Sequence, residues 1–375
     1  MKDERFNGIV TASEEDPGVR TALLPVLYEP DSHAANLVEL DNGDLLCVWF
    51  NGPGEGEPGT NVVLSRLRQG TDRWTEPVLL ASDPDRSEQN PVLAKGPDGR
   101  LWFLHTSNTP NNQKTARVVV RFSDDNGETW TQPEILFKEP GIFLRNPPLL
   151  LDDGSWLLPC YYCRPTGERS VVKISEDQGR SWQEYAVPDA EYKVQMSVAA
   201  RCSFRPPRAS PVGPTPDRGD GTLLAVFRSR RADRIYASES ADLGRTWTPP
   251  VRTGLPNNNS AVQLTALRSG RLALIYNDAS LERDQFRWVG SAESPRKKAV
   301  RTPLTLALSE DGGRTWPYHR NVQMADLEYR ENEMGYSYPC VIQTADGRLQ
   351  IAFSYLRKTI KHVSLTEDWI VEGTR

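Results

Sequence analysis

"SEDGGRTW", residues 309–316, carries its own local chemistry. Ser and Asp side chains bond nearby backbone N–H groups, Gly reaches positive φ without steric cost, and Trp adds a large apolar wedge. The pattern returns as "SDDNGETW" at 123–130, "SEDQGRSW" at 175–182 and "SADLGRTW" at 240–247. Weaker copies, "SRLRQGTDRW" (65–74) and "SLTEDW" (364–369), bracket these four. The six tryptophans that close them fall 52 to 69 residues apart.

A second marker alternates with the first: a turn ending in Gly between apolar runs, as in "LDNGDLL" and "GPDGRLW". Its glycines are Gly43, Gly99, Gly154, Gly221, Gly270 and Gly347. Asn-Gly and Asp-Gly between apolar runs are strong hairpin signals. Six units of about 60 residues, each with one hairpin and one Trp motif, describe a repeat protein. Four strands per unit predicts an all-β, six-bladed β-propeller of four-stranded antiparallel blades, one domain over 1–375, which hides most strand edges. The motif aspartates Asp125, Asp177, Asp242 and Asp311 are then turn residues, not catalysts.

Composition narrows the function. Hydrophobic residues at 38% suffice for a core, and a net charge of −5 argues against nucleic-acid or anionic-membrane partners. No window reaches the roughly 20 apolar residues of a membrane span, and the opening "MKDERFNGIV" lacks a signal pattern. A soluble, cytoplasmic protein is expected, or a secreted one if a leader has been removed. The five cysteines form no disulfide framework, and Cys160 and Cys163 have no second pair to complete a zinc site. Core thiols are expected.

If the strands run A to D from axis to rim, both turn markers lie on one face. The starts of the A strands and the B–C loops lie on the other. The residues some nine or ten positions before each hairpin Gly should therefore ring the axis: His33, Gln89 and Asn90, Arg145 and Asn146, Asn258 to Ser260, and Tyr336 and Tyr338, with Gln195 in unit four, where an intervening loop lengthens the count. The B–C loops add Glu55 and Glu57, His105, Arg164 and Glu168, Arg228, Arg230 and Arg231, Asp278, and Tyr355 with Arg357. Clustered guanidiniums suit an anionic ligand because each grips a carboxylate in a fork. Axial Asn and Gln carbonyls offer a place for a structural Ca²⁺, although no cofactor is required. The insertion 204–219 interrupts the A–B hairpin of unit four, while 278–300 extends the B–C loop of unit five and is placed to lid the pocket.

These motifs resemble the Asp-boxes, or bacterial neuraminidase repeats, of the sialidase superfamily, over nearly the whole chain. "AVRTPLTLALSEDGGRTW" is similar to the sialidase segment bearing the third arginine of a carboxylate-binding triad, which implies Arg301. "GDGTLLAVFRSRR" resembles the segment with the second arginine, implying Arg228 or Arg230. "GYSYPCVIQTADG" resembles the stretch with the nucleophilic tyrosine, implying Tyr336 or Tyr338, and the acid/base loop falls on Glu55 and Glu57. The chain departs from sialidases at two places. His33 stands where their first triad arginine would be, with Arg145 of "FLRNPP" able to supply a guanidinium only from another direction. Gln195 or Met196 stands where a glutamate activates the tyrosine, leaving Glu333 as the nearest candidate base in sequence. The chain is in this respect closer to proteins described as predicted neuraminidases than to established sialidases.

The resemblance implies an exo-acting glycoside hydrolase on a glycan ending in an acidic sugar. Arg145, Arg228 and Arg301 would bind the carboxylate, with Gln89, Asn90, Gln195, Asn258, Arg164 and Arg357 as further contacts. Two alternatives stand beside it. In a rhamnose–glucuronate type lyase, His33 and a tyrosine would exchange protons with a uronic acid. A carbohydrate-binding propeller would do no chemistry.

Overall fold

The computed structural model describes residues 3–14, 16–201, 221–291, 293–332 and 335–374. Cys202, Glu333 and the 204–219 insertion lie outside the described residues. Six antiparallel sheets follow one another around an axis. Blade one is Asp31–Glu39, Leu45–Gly52, Asn61–Leu67 and Val78–Ala81, in that order from axis to rim. Blades two, four and five repeat this order, and the innermost strand of blade three is split into Ile142–Leu144 and Leu149–Leu150. Innermost strands of successive blades meet in sequence, and that of blade six, Tyr336–Gln343, meets blade one. The expected six-bladed propeller is thus the fold.

Ring closure is the part the repeat did not announce. Blade six takes its fourth strand from the N-terminal side, Arg20–Leu23, paired with Thr359–Leu365 and flanked by the short strand Thr11–Ala12. The last Trp-motif copy does not begin a strand. It caps a short helix, Glu367–Glu372, with the Thr366 side chain accepting from the Trp369 backbone N–H.

The four full motifs are built alike. In the third, Ser240 Oγ donates to Asp242 Oδ1, which also accepts from Thr246 N–H at 2.8 Å, while Gly244 N–H donates to Ser240 Oγ. The motif's Ser, Asp and Thr side chains bond within their own turn, which accounts for the aspartates structurally. The glycines also hold the blades together. A Cβ on Gly244 would stand 2.4 Å from Leu157 of blade three, and one on Gly313 2.3 Å from Leu224 of blade four. The core is accordingly a set of clusters lying between neighbouring blades, such as Leu157, Ile174, Leu223 and Phe227 between blades three and four. Cys47, Cys160, Cys163 and Cys340 are buried and unbridged. Among the described residues, no helix is long and apolar enough to cross a membrane.

Candidate functional site

One backbone device recurs where the innermost strands begin. Pairing with the next strand shifts register between His33 and Asn36, Gln89 and Val92, Val194 and Ser197, and Ser337 and Cys340. Each break holds a residue in left-handed backbone: Ala34, Asn90, Gln195 and Tyr338, with φ between 46° and 62°. Such bulges re-aim side chains, and a non-glycine residue held there costs of order 1–3 kcal/mol. Here they turn Gln195 and Tyr338 out of the strand's ordinary alternation and onto the axis.

Tyr338 is the hub. Its ring centroid is 4.2 Å from that of His33, and the guanidinium carbons of Arg145, Arg228 and Arg301 lie 5.4, 5.4 and 5.8 Å from it. Its hydroxyl accepts from Arg228 Nη1 at 2.5 Å and from Gln195 Nε2 at 3.3 Å. Arg228 Nη1 also reaches Gln195 Oε1 at 2.8 Å. Burial alone would raise the phenol pKa, but the positive field of Arg228, Arg301 and Arg230 outweighs it and pulls Tyr338 below the usual 10. The two tyrosine candidates separate cleanly. Tyr336 packs among Tyr329, Phe353 and Tyr355, where burial pushes its phenol up.

Arg145 comes from blade three and is 1% exposed. One nitrogen, Nη2, donates to the carbonyls of Ala35, Tyr338 and Pro339, while Nε and Nη1 have no protein partner. Asn146 beside it donates to Gln195 and Met196 carbonyls across the axis. His33 is fully buried, and neither ring nitrogen has a hydrogen-bond partner. Burial, with Arg357, Arg301, Arg145 and Arg228 around it, holds its pKa well below 6.5, so the imidazole is neutral.

The acidic side of the cleft is a relay. Arg357 forks onto Asp31 at 2.8 and 2.5 Å and reaches Glu55 at 3.2 Å. Glu55 is 38% exposed, on the loop between two blade-one strands. Burial would raise its pKa, but Arg357, Arg301 and Arg228 lower it overall. Asp31, two residues before His33, was not singled out from sequence, although its position at the head of the same strand was the available signal.

Other candidates lie elsewhere. Glu57 is exposed and accepts from Asn111. Gln89 donates to Ser87 close by, and Asn90 is buried at its own bulge. Asn258 donates to the Val300 carbonyl. Arg164 stacks on Tyr162 and donates to Pro140, sharing no contact with the Tyr338 cluster. Arg230 turns to Glu168 at 2.7 Å, leaving Arg228 as the inward residue of that segment. His105 is not in a loop. It is buried within Leu101–Asn108 and paired with Glu88 at 2.7 Å, because Glu88 lies opposite Ser107, two residues along from His105 on the same face. Among the described residues no group of three or more His, Cys, Asp or Glu side chains is placed to hold a metal.

A model of the BNR repeat-like domain matches residues 43–351. The chain is 25% identical over 230 residues to a sialidase of Bacteroides fragilis (strain YCH46), covering 58% of this chain and 37% of that protein, so it spans little more than a third of that relative. Among solved structures it is similar to the Hadza microbial sialidase Hz136, with a TM-score of 0.69 and 17% identity over 91% of this chain and 66% of that one. It is also similar to a Dyadobacter fermentans protein of unknown function, with a TM-score of 0.68 and 16% identity over 93% and 99% of the two chains. The intramolecular trans-sialidase of Ruminococcus gnavus, solved with oseltamivir carboxylate, gives a TM-score of 0.68 and 14% identity over 92% and 97%. At these identities the structural likeness speaks for the fold.

Proposed function

The chain belongs to the BNR repeat-like domain family, and from that premise we propose that it is a sialidase-like glycan-active enzyme, an exo-acting glycoside hydrolase that removes a terminal carboxylate-bearing sugar. One observation carries the reading: three guanidiniums converge within 6 Å of the Tyr338 ring, and the most buried of them, Arg145, keeps two nitrogens, Nε and Nη1, without a protein partner. A buried, half-satisfied cation is costly, and a ligand carboxylate oxygen accepting from Arg145 Nη1 lowers that cost.

With the carboxylate held by Arg145, Arg228 and Arg301, the anomeric carbon comes to the Tyr338 oxygen. That oxygen bonds to the carbon as the bond to the leaving-group oxygen breaks, and Glu55 gives its proton to the departing oxygen. Water then displaces Tyr338 and returns a proton to Glu55, for net retention. Gln195 cannot take the phenol proton, which passes to solvent water before attack, and the arginine field stabilises the phenolate that remains. Glu55 is ionised in the free protein for the same reason. Substrate charge on Arg301 and Arg228 offsets that field and lets Glu55 take up the proton it must donate.

A uronate lyase keeps one supporting observation: His33 is neutral, unpartnered and in contact with Tyr338. One assay separates the readings. Incubation with sialosides and with glucuronate-terminated oligosaccharides should release the terminal acid sugar with no ultraviolet absorbance from an unsaturated uronate. That absorbance would instead establish the lyase, and binding without product a carbohydrate-binding module.

A further inference from the structure

The long B–C connection of blade five folds into a two-stranded hairpin, Phe286–Val289 paired with Arg296–Ala299. Its register sets Arg287 opposite Lys298 and Val289 opposite Arg296, while Phe286 and Trp288 pair with Ala299 and Lys297. Strand alternation therefore puts Arg287, Arg296 and Lys298 on one face and the aromatic pair on the other. Arg296, Lys297 and Lys298 line one cavity of about 240 Å³ together with Arg228, Arg231 and Arg301.

The charge balance of this cavity is one-sided. Its lining includes no carboxylate; Arg230, which also borders it, is taken by Glu168. Neither Arg296 nor Lys298 has an ion-pair or hydrogen-bond partner among the described residues. Burial and the nearby Arg301, Arg287, Arg357 and Arg296 pull the Lys298 ammonium down to about 8, which registers how crowded the cations are. Elsewhere the protein pairs such residues: Arg234 and Arg252 share Glu282, and Arg271 lies between Glu310 and Glu367. Like charges left together beside a cleft are unfavourable unless an anion joins them.

We infer that Arg296 and Lys298 form a second anion subsite beside Arg301, and that the preferred substrate carries a second anionic group, a sulfate ester or a further carboxylate, next to its terminal acidic sugar. This rests on reading the Tyr338 centre as the site of the first carboxylate. The hairpin borders that site through Arg228 and Arg301, which its cavity shares with the Tyr338 cluster.

The test compares 3′-sialyllactose and a glucuronate-terminated trisaccharide with matched forms carrying a sulfate ester, or a second acidic sugar, on the adjoining residue. Wild-type protein should favour the dianionic forms by about tenfold or more in kcat/KM, as one charged hydrogen bond provides. The variant Arg296→Ala/Lys298→Ala should lose that preference and keep its turnover of the monoanionic forms. The sulfate and carboxylate arms tell which second group is read. Equal rates on mono- and dianionic forms would overturn the subsite while leaving the hydrolase reading intact. Calorimetry with a disaccharide bearing a sulfate ester and no carboxylate works without turnover. Binding to wild type and loss in the double variant, with no substrate cleaved, would support the subsite and sink the catalytic reading. Absence of binding together with absence of turnover would overturn both.

Discussion

Gln195 and Tyr338 occupy equivalent bulges of blades four and six, both in left-handed backbone, with Gln195 Nε2 3.3 Å from the Tyr338 hydroxyl. The same hydroxyl is 2.5 Å from Arg228 Nη1, so its two side-chain neighbours here are an amide and a guanidinium. A neutral amide neither takes the phenol proton nor opposes the arginine field. The first prediction follows from that neutrality. Gln195→Glu sets a negative charge beside the phenol, and a nearby anion favours the uncharged form. The ultraviolet titration step of Tyr338, identified by its loss in Tyr338→Phe, should move to higher pH in Gln195→Glu and again in Arg228→Met. An unmoved step would detach Tyr338 from the arginine cluster.

The two tyrosines two residues apart should behave oppositely. Tyr338→Phe removes the oxygen proposed to attack the sugar and should lower kcat by at least about a hundredfold, with melting temperature nearly unchanged. Tyr336→Phe removes a hydroxyl that sits beside Asp326 and accepts from its N–H at 3.4 Å, in an aromatic cluster apart from the arginines, and should keep kcat within about threefold. Kinetics of both variants on the same substrate decide it.

Glu55 should take up a proton when a carboxylate binds. Arg357, Arg301 and Arg228 hold its pKa down, and an anion on Arg301 and Arg228 cancels part of their effect, so the pKa rises. Titration calorimetry at pH 5 in two buffers of different ionisation enthalpy, with a carboxylate inhibitor, should register net uptake. Glu55→Gln should diminish it. Uptake of equal size in the variant would assign the proton to another group, His33 first among them.

How much of this could be read from sequence differs by level. The propeller was legible because each motif spends its polar groups within its own turn, as Ser240, Asp242 and Thr246 do, so the residues explain themselves locally. His33 and Arg145 were found by counting back from hairpin glycines, a spacing that blade geometry enforces, whereas Gln195 had to be placed across the loop inserted before Gly221. The choice of Tyr338 over Tyr336 was not legible, since both sit on the same face of an ideal strand and only the bulge at Ser337–Cys340 sends them apart. Nor was the closure by Arg20–Leu23, whose four residues carry no repeat signal, or the Asp31–Arg357 pair, whose members are more than three hundred residues apart.

A buried histidine should make the protein acid-labile over a defined range. His362 is 1% exposed, accepts from Trp74 Nε1 at 3.4 Å and lies 3.0 Å from Gln350 Oε1, an arrangement that suits the neutral ring. Burial, with Arg348 nearby, lowers its pKa from 6.5 to about 3. Below pH 6.5 the unfolded chain binds a proton that the folded protein refuses, so stability falls as pH drops from 6.5 toward 3. The slope contributed by this group is about 1.4 kcal/mol per pH unit. His362→Gln should melt below wild type at pH 7, and the gap should shrink steadily as the pH is lowered to 4.5. A constant gap would show that the ring is protonated in the fold.

Gly244 tests whether the Trp motif works by joining blades and not by touching ligand. Its φ is +86°, where a side chain is strained, and an added Cβ would meet Leu157 Cδ1 of the preceding blade at 2.4 Å. Two costs then act together, the backbone strain and the displacement of a core leucine, each about 1–3 kcal/mol. Asp242→Ala imposes a different one: Thr246 loses the acceptor of its N–H and of its hydroxyl within the same turn. Both Gly244→Ala and Asp242→Ala should lower the melting temperature, and both should leave kcat/KM of the folded protein within about twofold, since the motif lies on the face opposite Tyr338. Pairing Gly244→Ala with Leu157→Ala relieves the clash but opens a cavity, so the double variant should be less destabilised than the sum of the two single changes. Strict additivity would mean that the glycine answers only to its own turn, and the contact between blades three and four would no longer explain why a glycine stands there.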